Sequence, residues 1–206
     1  MDQIVEAGFS GARGRALAVS LPNILTYGRI AAVPALVAVL YFEPGSTGRE
    51  IAFVLFAAAS ITDWLDGYLA RKWEQQSELG RMLDPIADKL LVGAVLMMLV
   101  YDRTLTGTAI FATIIILMRE ILVSGLREFL AELNVKVRVS QLAKWKTACQ
   151  MFALGQLIIG PAIAARVPYV MEGGVVMLWI AALLTIWTGF DYLKAAVTRA
   201  IEDRAP

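Results

Sequence analysis

The sequence has no histidine and a single cysteine, Cys149, among its 206 residues. Without imidazole it has no side chain that changes charge near neutral pH unperturbed, and no nitrogen ligand of the usual kind for a metal. One thiol allows neither an internal disulfide nor a thiolate zinc cage, which takes two to four sulfurs. Charge is scarce as well, at 18% of residues, while apolar residues make up 58%; soluble domains run about 25% and about 45–50%. Disordered, collagen-like and disulfide-framework chains are thereby excluded. Any chemistry must rest on carboxylates, Arg, Lys, hydroxyls and a hard cation.

Strand-like alternation is also missing over any useful length, so helices are the only way for this chain to cross a bilayer. What the sequence does have is about six apolar stretches: Ile24–Phe42, Ile51–Ala70, Ile86–Tyr101, Thr108–Val123, Ala148–Ala165 and Val175–Leu193. Each is close to the roughly 20 residues that span hydrocarbon. Polar breaks separate most of them, at Glu43–Arg49, Lys72–Arg81, Asp102–Gly107 and Arg166–Gly174. Pro44, Gly45 and Gly48 punctuate the first break, and Pro168, Gly173 and Gly174 the last. The expected architecture is an all-α polytopic membrane domain over residues 21–200, without repeats or a dividing linker. Residues 1–20 read as a cytoplasmic segment on the membrane surface, with Ile4, Val5, Phe9 and Leu17 beside Arg13 and Arg15; a frayed tail is the alternative. Asp2, Glu6 and the glycines at 11 and 14 argue against a secretory signal. Residues 201–206 form a short C-terminal tail.

Cations set the expected orientation. With the N-terminus cytoplasmic, only Arg49, Arg103 and Arg166 of the nineteen Lys and Arg residues fall in outside loops, and the other sixteen lie on the cytoplasmic side or its boundary.

The most informative stretch contains Asp63, Asp66 and Gly67, then Gly80, Asp84 and Asp88. Spacings of three and four put each pair of carboxylates on one helix face, a turn apart. The first pair ends the second apolar stretch and the second opens the third. The short connector between them predicts antiparallel neighbouring helices, with four acidic groups converging at the cytoplasmic boundary. Ionisable groups at that depth mark function by default. Ligation by oxygen alone suits Mg²⁺, Mn²⁺ or Ca²⁺ rather than zinc, as one ion or as two bridged by shared oxygens. The competing reading has the aspartates capping helices and pairing with Arg71, Lys72, Arg81 and Lys89; Asp84 before Pro85 has the form of an N-cap.

The pattern D-x2-D-G-x2-A-R-x8-G-x3-D-x3-D, met by Asp63, Asp66, Gly67, Ala70, Arg71, Gly80, Asp84 and Asp88, resembles the signature of the CDP-alcohol phosphotransferase family. The resemblance implies a six-helix membrane enzyme, usually a homodimer, that uses divalent metal to displace CMP from a CDP-linked lipid or alcohol by a second alcohol. It makes Asp63, Asp66, Asp84 and Asp88 the ligands of Mg²⁺ or Mn²⁺, with two ions expected. Asp84 and Asp88 become the catalytic pair and Asp88 the general base. Gly67 and Arg71 contact the cytidine diphosphate, and Gly80 leaves room beside it. Asn23 and Thr26 line the nucleotide site, although capping of the first helix accounts for them equally well.

A second group of charges, Arg119, Arg127, Lys136, Arg138, Lys144 and Lys146, runs from the fourth stretch into the fifth. Lys136 and Arg138 fit the ordinary cytoplasmic excess of cations beside anionic lipid. Arg119, Arg127, Lys144 and Lys146 suit a pocket for an acceptor that bears phosphate. Pro22-Asn23-Ile24-Leu25-Thr26, Arg29, Arg119-Glu120, Gly125-Leu126-Arg127-Glu128 and Lys144-Trp145-Lys146-Thr147 are similar to bacterial members of the same family. That narrower resemblance implies CDP-diacylglycerol as donor and glycerol 3-phosphate as acceptor. The other partners it implies are membrane lipids and a second copy of the chain, with no nucleic acid, in the bacterial inner membrane. Charge alone does not separate glycerol phosphate from inositol phosphate. A small cation transporter is the rival from another class, but it calls for acidic residues spread through the membrane depth, with broken helices at the midplane.

Overall fold

Backbone N–H and C=O groups in hydrocarbon must be satisfied within their own segment, so unbroken apolar runs with charges only at their ends become helices. The computed structural model describes residues 21–73, 78–133 and 141–202. Six helices follow one another: α1 (Leu21–Phe42), α2 (Ser46–Trp73), α3 (Glu78–Tyr101), α4 (Ala109–Glu132), α5 (Gln141–Ile163) and α6 (Val170–Glu202). Even α1, with 22 residues, extends about 33 Å at ~1.5 Å per residue, enough to cross ~30 Å of hydrocarbon. By composition alone α1, α4 and α6 qualify as spans, over Asn23–Phe42, Ala109–Ala131 and Val170–Thr198. Helices α2, α3 and α5 are as long but carry more charge, α3 and α5 near one end and α2 near both. Val54, Met97, Met118, Ile121 and Trp187 stand outward and exposed, a surface that lipid covers and water would not tolerate. The protein is an all-α polytopic membrane protein.

Packing does not follow chain order. Helix α1 lies against both α2 and α3, α5 against α2 and α6, and α6 also against α4. Leu36 and Leu40 of α1, Phe56 of α2, Leu91, Leu96 and Leu99 of α3, Ile116 of α4, Leu154 and Leu157 of α5, and Leu178 of α6 form one core. The expectation that α2 and α3 pack side by side needs correction: they touch only slightly, and α1 fills the space between them. A short connector fixes how near two helix ends lie, not what their flanks pack against.

Two boundaries also differ from expectation. Gly173 and Gly174 are inside α6 rather than in the break before it. A Cβ on Gly174 would come within 2.9 Å of the Leu157 side chain on α5, so the missing side chain lets α5 and α6 approach closely, as small residues do between membrane helices. Helix α3 begins at Glu78, which puts Asp84 and Pro85 in its interior and removes the N-cap reading. The expectations for residues 1–20, Lys136, Arg138 and positions 203–206 lie outside the described residues; Ile201 and Glu202 belong to α6.

The chain alternates direction, so the ends of the bundle differ in chemistry. At the end away from the aspartates, the buried Arg49 guanidinium donates to Asp102 Oδ2 at 2.7 Å and Thr104 Oγ1 at 2.9 Å. Its other terminal nitrogen reaches the carbonyls of Leu157 and Ile158 at 3.5 and 3.4 Å. Asp102 Oδ1 accepts from the Thr104 N–H at 2.9 Å. This network ties α2 and α5 to the loop after α3 and leaves few polar atoms unsatisfied. Breaking one partner of a buried pair strands the other charge, at a cost of about 3–5 kcal/mol. Arg49→Met should therefore lower the thermal midpoint in detergent sharply, and Arg49→Met/Asp102→Leu should recover most of the loss.

Candidate active site

At the opposite end, polar side chains from all six helices meet. Helix α1 is apolar except for a stripe at Asn23, Thr26 and Arg29, three residues apart and all buried. That spacing keeps the stripe on one side of the helix, the side turned to the carboxylates of its neighbours. The Thr26 hydroxyl donates to Asp84 Oδ1 at 2.6 Å, so Thr26 serves α3 rather than capping its own helix. Arg29, 1% exposed, pairs with Asp63 Oδ1 of α2 at 2.5 Å. Asp63 itself is 42% exposed, so the pair has one dry and one accessible partner.

On α3, Asp84 and Asp88 lie one turn apart and are both half-buried. Lys89 does not join them, because its ammonium donates to the Pro85 carbonyl of its own helix at 3.0 Å. Asp63 and Asp84 are close enough to act on each other's charge, and Asp88 feels Asp63, Glu120, Lys146 and Arg29. Gly80 is buried at the start of α3. The side-chain roles expected for Asp66, Gly67 and Arg71 lie outside what is described, although all three belong to the last turns of α2.

The cationic group is divided by the structure. Lys146 of α5 is buried and bonds Glu120 Oε1 of α4. The same oxygen accepts from Arg119 Nη1 at 3.3 Å. The rest of the Arg119 fork is held by α6: Nε donates to the Thr185 carbonyl at 3.0 Å and Nη2 to the Thr188 hydroxyl at 2.8 Å. Gly189 makes the space, since a Cβ there would sit 3.3 Å from Arg119 Cγ. Arg127, exposed two turns further along α4, reaches the Tyr192 hydroxyl at 3.3 Å and lies 5.5 Å over its ring. Lys144 is exposed and stands about 200° around the helix from Lys146, as residues two apart must. Lys146 and Arg119 thus share one anion, Arg127 adjoins them, and Lys144 takes another face.

Sequence reading missed the part played by Arg29 and the brace formed by Thr185, Thr188 and Tyr192. The three-residue polar stripe in an otherwise apolar α1 was the available signal for Arg29. Isolated threonines in an apolar helix carry none, because they also bond their own backbone, as Thr188 does to the Leu184 carbonyl.

Residues 19–187 match the CDP-alcohol phosphatidyltransferase family, and the chain belongs to it. It is similar to the CDP-diacylglycerol–glycerol-3-phosphate 3-phosphatidyltransferase of Rickettsia bellii, at 49% identity over 176 residues, covering 85% of this chain and 94% of that protein. The enzyme of the same name from Haemophilus influenzae is 42% identical, with 86% and 93% covered. That from Cereibacter sphaeroides is 35% identical, with 86% and 96% covered.

The family generally depends on divalent metal, and the donor chemistry here fits a hard cation. Asp63, Asp84 and Asp88 offer only carboxylate oxygens. Among the described residues, neither Asp84 nor Asp88 is in an ion pair. No three of the described acidic side chains are drawn into a single chelating group; Asp66 is not among those described.

The Thr26–Asp84 hydrogen bond joins a neutral donor to a charged acceptor, the class worth about 1.5–3 kcal/mol. Thr26→Val keeps the shape and removes the donor, so transfer activity should fall about tenfold or more. Thr26→Ser should stay within about twofold of the parent, both measured on protein whose helicity by circular dichroism is unchanged.

Proposed function

We propose that this protein transfers the phosphatidyl group of CDP-diacylglycerol to sn-glycerol 3-phosphate, giving phosphatidylglycerophosphate and CMP. The observation that carries this reading is the meeting, around Asp88, of two unlike networks. Carboxylates of α2 and α3 lie on one side, and the buried Lys146–Glu120–Arg119 group lies on the other. A nucleotide-linked donor needs the first and a phosphate-bearing acceptor the second. The names and near full-length similarity of the relatives support the same pair of substrates.

In this reading Asp63, Asp66, Asp84 and Asp88 hold Mg²⁺ or Mn²⁺, as two ions, against the pyrophosphate. The bound metal supplies positive charge where negative charge gathers on the leaving CMP. Gly67, Arg71, Gly80, Asn23 and Thr26 form the nucleotide side, with Arg71 a point of charge for a phosphate and Thr26 holding Asp84 in place. Arg119, Arg127, Lys144 and Lys146 receive the acceptor phosphate, Lys144 by reaching in from its exposed face. Asp88 takes the proton of the acceptor's primary hydroxyl as its oxygen attacks the phosphorus that bears diacylglycerol. The bond from that phosphorus to the bridging oxygen breaks, and CMP leaves with the oxygen and the electron pair. The cation distribution supports a site and N-terminus on the cytoplasmic side of a bacterial inner membrane. There the acyl chains of the donor stay in lipid while its head group meets water, and the enzyme works as a homodimer.

Purified protein given CDP-diacylglycerol, glycerol 3-phosphate and Mg²⁺ should release CMP, and chelation should stop it. In a panel with inositol phosphate and phosphatidylglycerol, glycerol 3-phosphate should be the preferred acceptor. Asp66→Asn should lower turnover by about two orders of magnitude or more, the scale of losing a group that stabilises developing charge. Release with every acceptor except glycerol 3-phosphate would overturn the assignment.

A further inference from the structure

We infer that Glu120 is the positioning residue of the acceptor-phosphate site, fixing the ammonium of Lys146 against the carboxylate oxygen that Arg119 also binds, within electrostatic reach of Asp88. The inference rests on the transfer to glycerol 3-phosphate proposed above and adds a residue that is neither an acidic ligand nor a phosphate-binding cation.

Three observations carry it. First, the two cations come from helices that pack mainly on α6 rather than on each other, so no direct packing of α4 on α5 brings the two side chains together. Glu120 does so, with Oε1 taking both Lys146 Nζ and Arg119 Nη1. Second, the two cations differ in how they are held. Arg119 is already locked by the Thr185 carbonyl and the Thr188 hydroxyl on α6, and Glu120 hangs from the neighbouring residue. Lys146 ends a flexible four-carbon stem and is 7% exposed. Among the described residues its ammonium bonds Glu120 and no other acceptor. The rigidity of α6 is thus passed through Arg119 to Glu120 and from there to Lys146. Third, Asp88 lies within electrostatic reach of both Glu120 and Lys146, so the placement of Lys146 sets where an acceptor phosphate sits relative to the general base.

Glu120 need not leave for the acceptor to bind. An ammonium has three donors and a guanidinium five. The bonds described use one donor of Lys146 and three of Arg119. Donors remain on both cations for phosphate oxygens. Meanwhile Glu120 compensates the positive charge of the buried Lys146 and of Arg119, which would be costly alone.

The test separates positioning from simple charge balance by comparing KM for glycerol 3-phosphate, KM for CDP-diacylglycerol and kcat. Glu120→Gln should raise KM for glycerol 3-phosphate about tenfold or more and leave that for CDP-diacylglycerol within about twofold. Glu120→Asp should recover part of the difference. Glu120→Gln also strands the Lys146 charge and risks misfolding, so the neutral pair Glu120→Gln/Lys146→Met carries the decision. Positioning predicts that the pair has the same acceptor defect as Lys146→Met alone, because both act through one ammonium. A pair with parental KM for glycerol 3-phosphate overturns the inference, as does a Glu120→Gln protein that changes both KM values alike. A parent protein without glycerol 3-phosphate-dependent CMP release counts against the proposed function instead, and the two failures are distinct.

Discussion

Charge placed inside a membrane bundle has to be neutralised there, and the arrangement of these six helices follows from how that is done. A carboxylate or ammonium taken out of water loses several kcal/mol of solvation even after relaxation. The buried cations among the described residues each have a specific answer: Asp63 for Arg29, Glu120 for Lys146 and Arg119, Asp102 for Arg49. The apolar core between the two ends, built around Leu36, Leu96, Leu154 and Leu178, keeps the helices together without selecting one arrangement among many. The ion pairs select it, because Arg29–Asp63, Lys146–Glu120 and Arg49–Asp102 each tie a helix to another part of the chain.

The two ends answer the problem differently. Around Arg49 the charges balance, with donors directed to Asp102, Thr104 and two carbonyls, and such a network has nothing left to offer a ligand. Around Asp63, Asp84 and Asp88, among the described residues, only Asp63 is in an ion pair, and it keeps two-fifths of its side chain accessible. Carboxylates without an ion-pair partner beside an opening are costly in the resting protein. They are sustained only where an ion or a substrate restores the balance, which is the physical basis for reading this end as the site.

Much of this was legible in the sequence because membrane helices obey few rules. Apolar runs near 20 residues located the helices, and carboxylates at three and four residues defined faces before any coordinates were considered. What could not be read was lateral. Nothing local to Lys72–Leu79 tells that α1 fills the space between α2 and α3. Nor does anything local to Gly173 and Gly174 tell that Leu157 of another helix requires one of them to be small. A helical glycine costs about 1 kcal/mol relative to alanine, and locally Gly173 and Gly174 read as part of a break. In the folded chain that cost is outweighed by packing that only the partner helix reveals. The separation of Lys144 from Lys146 around α5 follows from helical periodicity alone.

The helices then divide by task. The first and last, α1 and α6, carry few charges along their spans, yet each lies against two others that hardly touch: α1 against α2 and α3, α6 against α4 and α5. Each presents polar groups to a charge on a helix beside it. Thr26 and Arg29 hold Asp84 and Asp63, and the Thr185 carbonyl and Thr188 hydroxyl hold Arg119. The middle four helices bear the groups that meet around Asp88, but their spacing is set by the outer two. Two three-helix units, one presenting carboxylates and one presenting cations, are joined along the packing of α2 against α5. Carboxylates of one unit and the buried cations of the other, meeting around Asp88, suit the transfer proposed above, of a phosphate-linked group between two anionic molecules. Neither half could hold its charges in lipid without the brace at its back.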